Sequence, residues 1–310
     1  MRFTLRQLSY FVAAGETGSV TRASEQVNIS QPSISAAISH LETELGVQLF
    51  VRQHAQGLSL TPAGQRLLSA AKEVLRDSYG LYDVVNSAMG KVAGPINVGA
   101  FRTFMPLIVP ELWKAFVTRH PDVQMHVTEG SESELLEGLR TARLDVALTY
   151  ENNIAPDMNF VPLVFLPTYV LLPADHPLAR RADLKLAEIA QEPFVLLDLP
   201  LSRRYFLSLF ERLGIAPHIV TETSSPAVLR SYVGAGIGYS LMTVRPKNMR
   251  AENDRPLVYV ELAEDYPPMK LGLAYLKELK RSRVCEAFEE FCREIIRDEG
   301  LPGMMPIPGN

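Results

Sequence analysis

Cysteine is scarce in this chain, whose 310 residues include only Cys285 and Cys292. Two cysteines seven positions apart in a predicted helix provide neither a disulfide framework nor a zinc-binding spacing, and they suit a reducing cytoplasm. The six histidines are scattered without metal-ligand spacing, and no acidic pair accompanies a visible nucleophile or base. We therefore predict no metal site, no cofactor and no catalytic residues.

The chain also lacks a long apolar run and a strong net charge. Its longest apolar stretch, residues 160–174, is interrupted by three prolines and is too short to span a bilayer. Arg2 and Arg6 interrupt any signal-like run near the start. The net charge of −4 gives no global basic signature for nucleic acid. We therefore expect a cytoplasmic protein with no membrane partner.

Residues 3–60 carry the patterns of short helices at close spacing. A first helix is predicted to end at Gly15–Gly18, and a second covers Val20–Val27. Ser30 can cap a third helix. A small hairpin is predicted around Gln56-Gly57, where strand-like segments meet.

The third helix has an unusual outer surface. Its apolar residues recur at helical spacing and form a stripe that faces a core: Ile34, Ile38, Leu41 and Leu45. Its opposite face carries no charge and little bulk: Pro32, Ser35, Ala36, Ser39 and Thr43. Two short helices with a tight connection, the second of them smooth outside, predict a helix-turn-helix. Small residues allow such a helix to approach the floor of the DNA major groove.

The start of this helix has the chemistry of a DNA reader. Gln31 can bond adenine bidentately, and Ser33 and Ser35 can bond bases or phosphates. The N-terminus of the helix also attracts a phosphate. Small residues equally help a helix to pack against another subunit, and the residues by themselves leave that alternative open.

A long helix is predicted after Thr61-Pro62, where a capping hydroxyl precedes a proline at the first helical position. It runs to about Gly90, and apolar residues recur along it every seven positions, at Leu67, Val74 and Leu81. A stripe of this length favours pairing with a helix of a second subunit. The alternative is a buried helix within a single core.

After Gly94-Pro95 strands alternate with helices, which predicts a parallel α/β sheet. The first elements of this region are predicted at strands 96–100, 123–129 and 144–150 and at helices Phe104–Arg119 and Ser131–Thr141. A second set of strands and helices follows, and a helix near Arg281–Asp298 closes the region.

The glycine-rich segment Gly234–Gly238 does not predict a dinucleotide site. A phosphate-binding loop runs from a strand into a helix, whereas this segment runs from a predicted helix into a predicted strand. We expect its glycines to end the helix and turn the chain.

Ligands of open α/β sheets collect at the carboxyl ends of the strands. Those ends here are residues 101–103, 129–131, Thr149, 199–203 and 223–224. The Arg102 guanidinium suits a carboxylate, and the helix that starts after the 129–131 turn favours an anion. We therefore predict a small anionic effector, a carboxylate.

Several residues at these strand ends also have simpler explanations. Ser131 and Glu134 have the spacing of a capping box, and Ser202 can cap its helix. Arg203, Arg204 and Arg230 individually have the character of surface charges.

Two stretches resemble a known family. Residues 5–68, from LRQLSYFVAAGETGSV to LSLTPAGQRLL, are similar almost position by position to the N-terminal domain of the LysR-type transcriptional regulators. LIVPELWKAFVTRHPDVQMHVTEG, LDVALTY and LLPADHPLA resemble the effector domain of the same family. The resemblance implies an α/β protein with an N-terminal winged helix-turn-helix, a long linker helix and a C-terminal two-subdomain domain, similar to periplasmic binding proteins, that senses a small molecule.

The resemblance also implies roles for individual residues. The helix-turn-helix Val20 to Ser39 and the wing supply the DNA-binding candidates: Ser30, Gln31, Pro32, Ser33, Ser35, Ser39, His40, Arg52 and His54. The cleft between the two subdomains supplies the effector candidates: Arg102, Thr103, Gly130, Ser131, Thr149, Ser202, Arg203 and Thr223. The long helix pairs between subunits through Leu67, Val74 and Leu81.

This chain departs from the family pattern in its DNA-binding region. Many members carry Arg or Gln at the positions of Ala36 and Ala37, and a second Arg where this chain has Gln56. Residues 1–66 contain five cations and four acids, a net of +1. Affinity for DNA depends on phosphate neutralisation, so we expect two or four linked copies to compensate for this low charge. The departures concern the base preference and not the DNA-binding role.

The predicted function is sequence-specific transcription regulation by a homodimer or homotetramer on a double-stranded DNA operator, with RNA polymerase as a further candidate partner. The predicted domains are 1–60 for DNA binding, 61–91 for the linker helix, 92–300 for the effector domain and 301–310 for a tail. Within the effector domain, subdomain I comprises 92–166 and 266–300, and subdomain II comprises 167–265. The alternative function is a solute-binding or catalytic α/β protein whose helical N-terminus only oligomerises.

Overall fold

The computed structural model describes residues 2–53, 57–88, 91–264, 266–301 and 304. The chain forms two compact units. The first comprises residues 1–94 with the short segment 140–143, and the second comprises 95–139 with 144–310.

The first unit is a helical domain with one hairpin. Its elements in chain order are α1 (Leu5–Thr17), α2 (Val20–Gln26), α3 (Gln31–Leu45), β1 (Phe50–Gln53), β2 (Gly57–Leu60) and α4 (Pro62–Ala88). Thr4 and Gln7 form a capping box at the start of α1, and Gly18 ends that helix with a φ of 61°. The antiparallel pairing of β1 with β2 confirms the predicted hairpin.

A continuous apolar core holds this unit together. Its buried members come from α1, α2, α3, β1 and α4 and from the segment before β1: Leu8, Phe11, Ala13, Ala14, Ala23, Ile34, Ile38, Leu41, Leu49, Phe50 and Ala71. The predicted stripe of α3 supplies three of them, while Leu45 is exposed. Burial of this stripe fixes which face of α3 turns outward.

The long helix α4 begins as predicted, because the Thr61 hydroxyl accepts the Gly64 N–H at 2.9 Å. Its first half packs on the first-unit core through Leu67, Leu68 and Leu75. The ammonium group of Lys72, on the same helix, lies 2.6 Å from the Glu16 carboxylate of α1. The first half of α4 is therefore part of a core within one chain.

The second unit contains two lobes. The first lobe is a five-stranded sheet in the order β4-β3-β5-β13-β6 with three helices among the described residues. Its elements are β3 (Gly94–Phe101), α5 (Val109–Arg119), β4 (Val123–Gly130), α6 (Glu132–Arg140), β5 (Val146–Tyr150), β6 (Met158–Leu166), β13 (Met269–Leu276) and α10 (Arg283–Glu299). Phe116 of α5 packs against Phe288 and Phe291 of α10.

The second lobe is built from the chain between β6 and β13. One sheet has the order β11-β7-β12-β8, and β9 pairs in parallel with β10. Its elements are β7 (Tyr169–Pro173), β8 (Asp183–Leu184), α7 (Leu186–Ile189), β9 (Pro193–Leu197), α8 (Pro200–Arg212), β10 (His218–Thr223), α9 (Pro226–Gly234), β11 (Ser240–Met242) and β12 (Leu257–Leu262).

Two predictions about this unit were wrong. The first sheet is mixed, because β13 lies antiparallel to β5 and β6, although β3 and β5 are parallel. The strand β13 returns from the second lobe and enters the sheet in the opposite sense. The helix predicted over Phe104–Arg119 begins only at Val109, since residues 102–108 form consecutive turns.

The segment Gly234–Gly238 has the predicted role. Gly234 is the last residue of α9, and Gly236 has a φ of 77°, which favours glycine. A Cβ on Gly238 would lie 2.2 Å from the Pro193 carbonyl oxygen, so only glycine fits against β9. The glycines therefore turn the chain.

Within the described residues, no helix combines the length and the apolarity needed to cross a membrane.

Candidate DNA interface and effector site

Helices α2 and α3 are joined by a tight turn. Asn28 in this turn has a φ of 52°, a conformation that asparagine tolerates better than most residues. The Ile29 N–H donates to the Ser24 carbonyl at 3.0 Å and closes the end of α2. The two helices thus have the geometry of a helix-turn-helix.

Ser30 occupies the cap position of α3, as predicted, but its hydroxyl makes no capping bond. The Ser30 Oγ lies 2.9 Å from the Ser33 Oγ instead. Both residues are exposed, and both lie at the start of the outer face.

The other candidates on α3 are also mostly exposed. Gln31, Pro32, Ser39 and His40 are exposed, and Ser35 is half-buried. Between Ser30 and Leu41 the helix carries no acidic or basic side chain other than His40. The outer face of α3 is therefore a smooth polar surface formed by small residues.

The hairpin β1–β2 provides the predicted wing. Arg52 lies in β1, and His54 lies outside the described residues. Close to the Gln53–Gly57 end of the hairpin, the Leu58 N–H donates to the Gly18 carbonyl at 2.9 Å.

The predicted dimerisation residues have different environments. Leu67 packs against the first-unit core, whereas Val74 is 47% exposed and Leu81 is 71% exposed. Of the three residues of the stripe, only Leu67 packs on the core. Val74 and Leu81 form an exposed apolar surface on α4.

The first group of effector candidates meets at the ends of β3 and β4. The Glu134 carboxylate accepts the Ser131 N–H at 2.7 Å and the Ser131 hydroxyl at 2.7 Å. The Arg102 guanidinium donates to the same oxygen at 3.4 Å. The Ser131 N–H and hydroxyl, with Arg102, hold the pKa of Glu134 below its usual range. The predicted capping box of Ser131 and Glu134 is confirmed. It places the Glu134 carboxylate within hydrogen-bond distance of the Ser131 N–H, the Ser131 hydroxyl and the Arg102 guanidinium.

A buried polar cluster adjoins this group. Thr103 and Thr149 are buried, and Thr149 Oγ1 has no hydrogen-bond partner among the described residues. Burial raises the pKa of Tyr150 to about 12, and the hydrogen bond to the Thr243 hydroxyl acts in the opposite direction. The Tyr150 and Thr243 hydroxyls lie 3.1 Å apart and link the two lobes.

The second group lies where β9 and β10 end. Arg203 donates to Asp198 at 3.0 Å and to Glu222 at 2.8 Å. The Thr223 hydroxyl accepts the Ser225 N–H at 3.2 Å, and Ser202 is buried. The cap of this helix is Leu199, so the simpler explanation of Ser202 as the capping residue was wrong.

Arg230 was predicted to be a surface charge, which was wrong. It is 6% exposed, and its guanidinium donates to the Asn248 carbonyl at 2.8 Å and to the Tyr259 hydroxyl. Burial raises the pKa of Tyr259 to about 12. Carbonyl and hydroxyl oxygens can satisfy a buried guanidinium without a carboxylate, so the sequence shows no paired acid to signal its burial.

Two further residues of the candidate effector region, Tyr150 and Thr243, were not predicted from the sequence. Tyr150 follows a predicted site residue directly, and this adjacency was an available signal. Thr243 follows β11, far along the chain from the first group, and no sequence pattern connects it to Tyr150.

Both cysteines are buried thiols and do not form a disulfide. Burial raises the pKa of the Cys292 thiol, which keeps it protonated. Among the described residues, no group of three or more His, Cys, Asp or Glu side chains is arranged to hold a metal ion.

The chain matches two family profiles. The profile described as "Bacterial regulatory helix-turn-helix protein, lysR family" matches residues 5–65. The profile described as "LysR substrate binding domain" matches residues 90–297. The two matches together cover the helix-turn-helix and the two lobes.

Individual relatives are similar over almost the full chain. The HTH-type transcriptional regulator YvbU of Bacillus subtilis is 29% identical, over 96% of this chain and 100% of the relative. The crystal structure of HinK, a LysR family transcriptional regulator from Pseudomonas aeruginosa, is similar with a TM-score of 0.64. The two sequences are 38% identical, and the match covers 94% of this chain and 98% of the HinK chain. Full-length OxyR from Pseudomonas aeruginosa, solved as a variant with one cysteine replaced, is similar with a TM-score of 0.74. Its sequence is 26% identical, and the match covers 94% of this chain and 98% of the OxyR chain.

Proposed function

The chain belongs to the LysR family of transcriptional regulators, and from this premise we propose that the outer face of α3 reads an operator and that a small carboxylate controls the protein. Regulators of this family combine a DNA-binding helix-turn-helix with a substrate-binding domain, and this chain matches the profiles of both domains.

The observation that carries the DNA-reading role is the exposed, smooth face of α3. Gln31 and Ser33 are exposed at its start, where a recognition helix contacts base edges. Ala36 is exposed farther along and adds no bulk that would hold the helix away from the groove. Arg52 in the wing is the candidate phosphate contact.

The carboxylate class of the effector is supported by Glu134. Its carboxylate already binds the Ser131 N–H, the Ser131 hydroxyl and Arg102. These donors therefore have the geometry to hold a carboxylate, and an effector would take the place of Glu134. The buried hydroxyls of Thr103 and Thr149 would then supply polar contacts deeper in the site.

A homodimer or homotetramer fits the exposed apolar residues of α4. Val74 and Leu81 lie one heptad apart on a helix of 27 residues, and both are exposed in the single chain. A cytoplasmic location, a regulatory and not catalytic role, and RNA polymerase as a further partner belong to the same proposal.

The DNA-reading role is tested by placing a charge on the face of α3. Ala36→Glu should abolish operator binding without lowering the melting temperature, because a carboxylate facing phosphates is repelled and the residue makes no core contact. The operator is first selected from a random DNA pool with the wild-type chain. Ala227→Glu, on the exposed first turn of α9, is the matched control and should bind normally. Normal operator binding by Ala36→Glu would contradict the proposal.

A further inference from the structure

An open cavity separates the wing, formed by β1 and β2, from helix α3. The cavity has a volume of about 340 Å³ and is lined on one side by Ser35, Ser39 and Glu42 of α3 and on the other by Val51 and Leu58 of the wing. Side chains that leave such a space between them do not pack tightly. Side-chain packing across the cavity therefore does not join Ser35, Ser39 and Glu42 to Val51, although Phe50 and Leu58 of the wing pack on the first-unit core.

A single carboxylate bridges the two elements at the base of this cavity. Glu42 Oε1 accepts the Leu49 N–H at 2.8 Å and the Phe50 N–H at 3.2 Å. Phe50 is the first residue of β1, so these bonds hold the strand at the point where it enters the wing. Glu42 itself lies on the last turns of α3 and is half-buried.

The opposite side of the same segment is held by the residue that caps α4. The Thr61 hydroxyl donates to the Gln48 carbonyl at 2.8 Å, and the Thr61 N–H donates to the Leu49 carbonyl at 3.0 Å. Residues 48–50 are therefore fixed between the recognition helix and the start of the linker helix. Glu42 is the member of this arrangement that belongs to α3.

We infer that Glu42 is a positioning residue for DNA binding, which sets the wing at the distance from α3 that lets both reach one duplex. The Glu42 Oε1 atom is engaged by the backbone N–H groups of residues 49–50, so the role assigned to Glu42 is to hold the wing and not to contact DNA. The inference rests on the proposed phosphate contact of the wing through Arg52. It goes beyond that role by assigning a residue that makes no DNA contact.

The experiment measures how operator affinity depends on salt. The slope of log affinity against log salt reports the number of phosphates neutralised, about 0.9 per contact. Binding of the full chain to its selected operator is followed by fluorescence anisotropy between about 50 and 200 mM salt. The variants are Arg52→Ala, Glu42→Ala, Glu42→Gln and the double variant Glu42→Ala, Arg52→Ala.

We expect Arg52→Ala to make the slope shallower, lowering its magnitude by about 0.9 per bound subunit. Glu42→Ala should lower it by a similar amount, and the double variant should show no further decrease. Glu42→Gln should keep the wild-type slope, because its amide oxygen can accept the same two N–H bonds. If Glu42→Ala does not fold, Glu42→Asp carries the test, since its shorter side chain withdraws the carboxylate and should also lower the slope.

The phosphate contact of the wing and the positioning role of Glu42 can be disproved separately. A wild-type slope for Arg52→Ala would remove the wing contact and overturn both the contact and the inference. A lowered slope for Arg52→Ala together with a wild-type slope for Glu42→Ala, or for Glu42→Asp in its place, would overturn the inference alone. An additive decrease in the double variant would also overturn it, because Glu42 would then act independently of the wing.

Discussion

The two candidate sites of this protein are built in opposite ways. The proposed DNA-reading face lies on the single helix α3, and its polar residues are mostly exposed. The effector candidates come from separate strand ends, and their charged members already bind acids of the same chain: Arg102 binds Glu134, and Arg203 binds Asp198 and Glu222. An exposed face on one helix can be recognised from the local sequence. A site whose donors already bind acidic side chains of the same chain can be recognised only when the tertiary structure shows those acids.

The largest expected effect comes from separating the subunits. Val74→Glu with Leu81→Glu should split the oligomer, because two exposed apolar contacts are replaced by charges. Operator affinity should then fall by about 10²- to 10⁴-fold, since each half-site is bound without its linked neighbour. Effector binding should persist, because its candidate residues lie within one chain. Sedimentation analysis and operator binding measure the two effects.

The control for this variant is Leu213→Glu, at a position that is 38% exposed at the end of α8. It should leave both assembly and operator binding unchanged. An oligomer of wild-type size in the Val74→Glu, Leu81→Glu variant would reject the pairing role of α4.

A smaller effect is expected from removing one base-reading side chain. Gln31→Ala should cost about 1–3 kcal/mol at one base pair and leave non-specific affinity unchanged, because a bidentate amide contact discriminates between bases. Affinities for the operator and for its single-base variants measure this discrimination. Gln124→Ala, exposed on β4, is the control and should bind as the wild type does. Equal weakening on specific and non-specific DNA would show that Gln31 does not read a base.

The smallest effect concerns the effector site. Glu134→Gln should strengthen binding of a small carboxylate roughly fivefold, because the competing charge is removed while the amide oxygen still caps α6. The ligand is found by thermal shift with a panel of small carboxylates and their primary amides. Calorimetry then compares the wild type with Glu134→Gln and with the control Glu137→Gln, on the exposed side of the same helix.

Two results would contradict the carboxylate proposal. The first is a panel in which only amides or cationic compounds raise the melting temperature. The second is a carboxylate that binds Glu134→Gln and the wild type equally, since its binding would then not displace Glu134.

Much of the first unit could be predicted because its signals are local. Thr61 was recognised as a cap, and the apolar spacing of Ile34, Ile38 and Leu41 predicted the buried side of α3. Each of these signals acts within one or two helical turns. The residue Glu42 was missed, although it is equally close in sequence, because its partners are backbone N–H groups and no side-chain pattern marks them.

The sequence by itself determined the helix-turn-helix, the hairpin, the start of α4 and the turn at Gly234–Gly238, since caps, glycines and apolar periodicity act through neighbouring residues. Only the tertiary structure decided that β13 enters the first sheet antiparallel, that Arg230 is buried, and that Tyr150 meets Thr243. Each of these three outcomes depends on a contact between elements far apart in the chain: β13 with β5 and β6, Arg230 with Tyr259, and Tyr150 with Thr243. Contacts between residues so far apart follow from the packing of whole elements, and no local pattern encodes them.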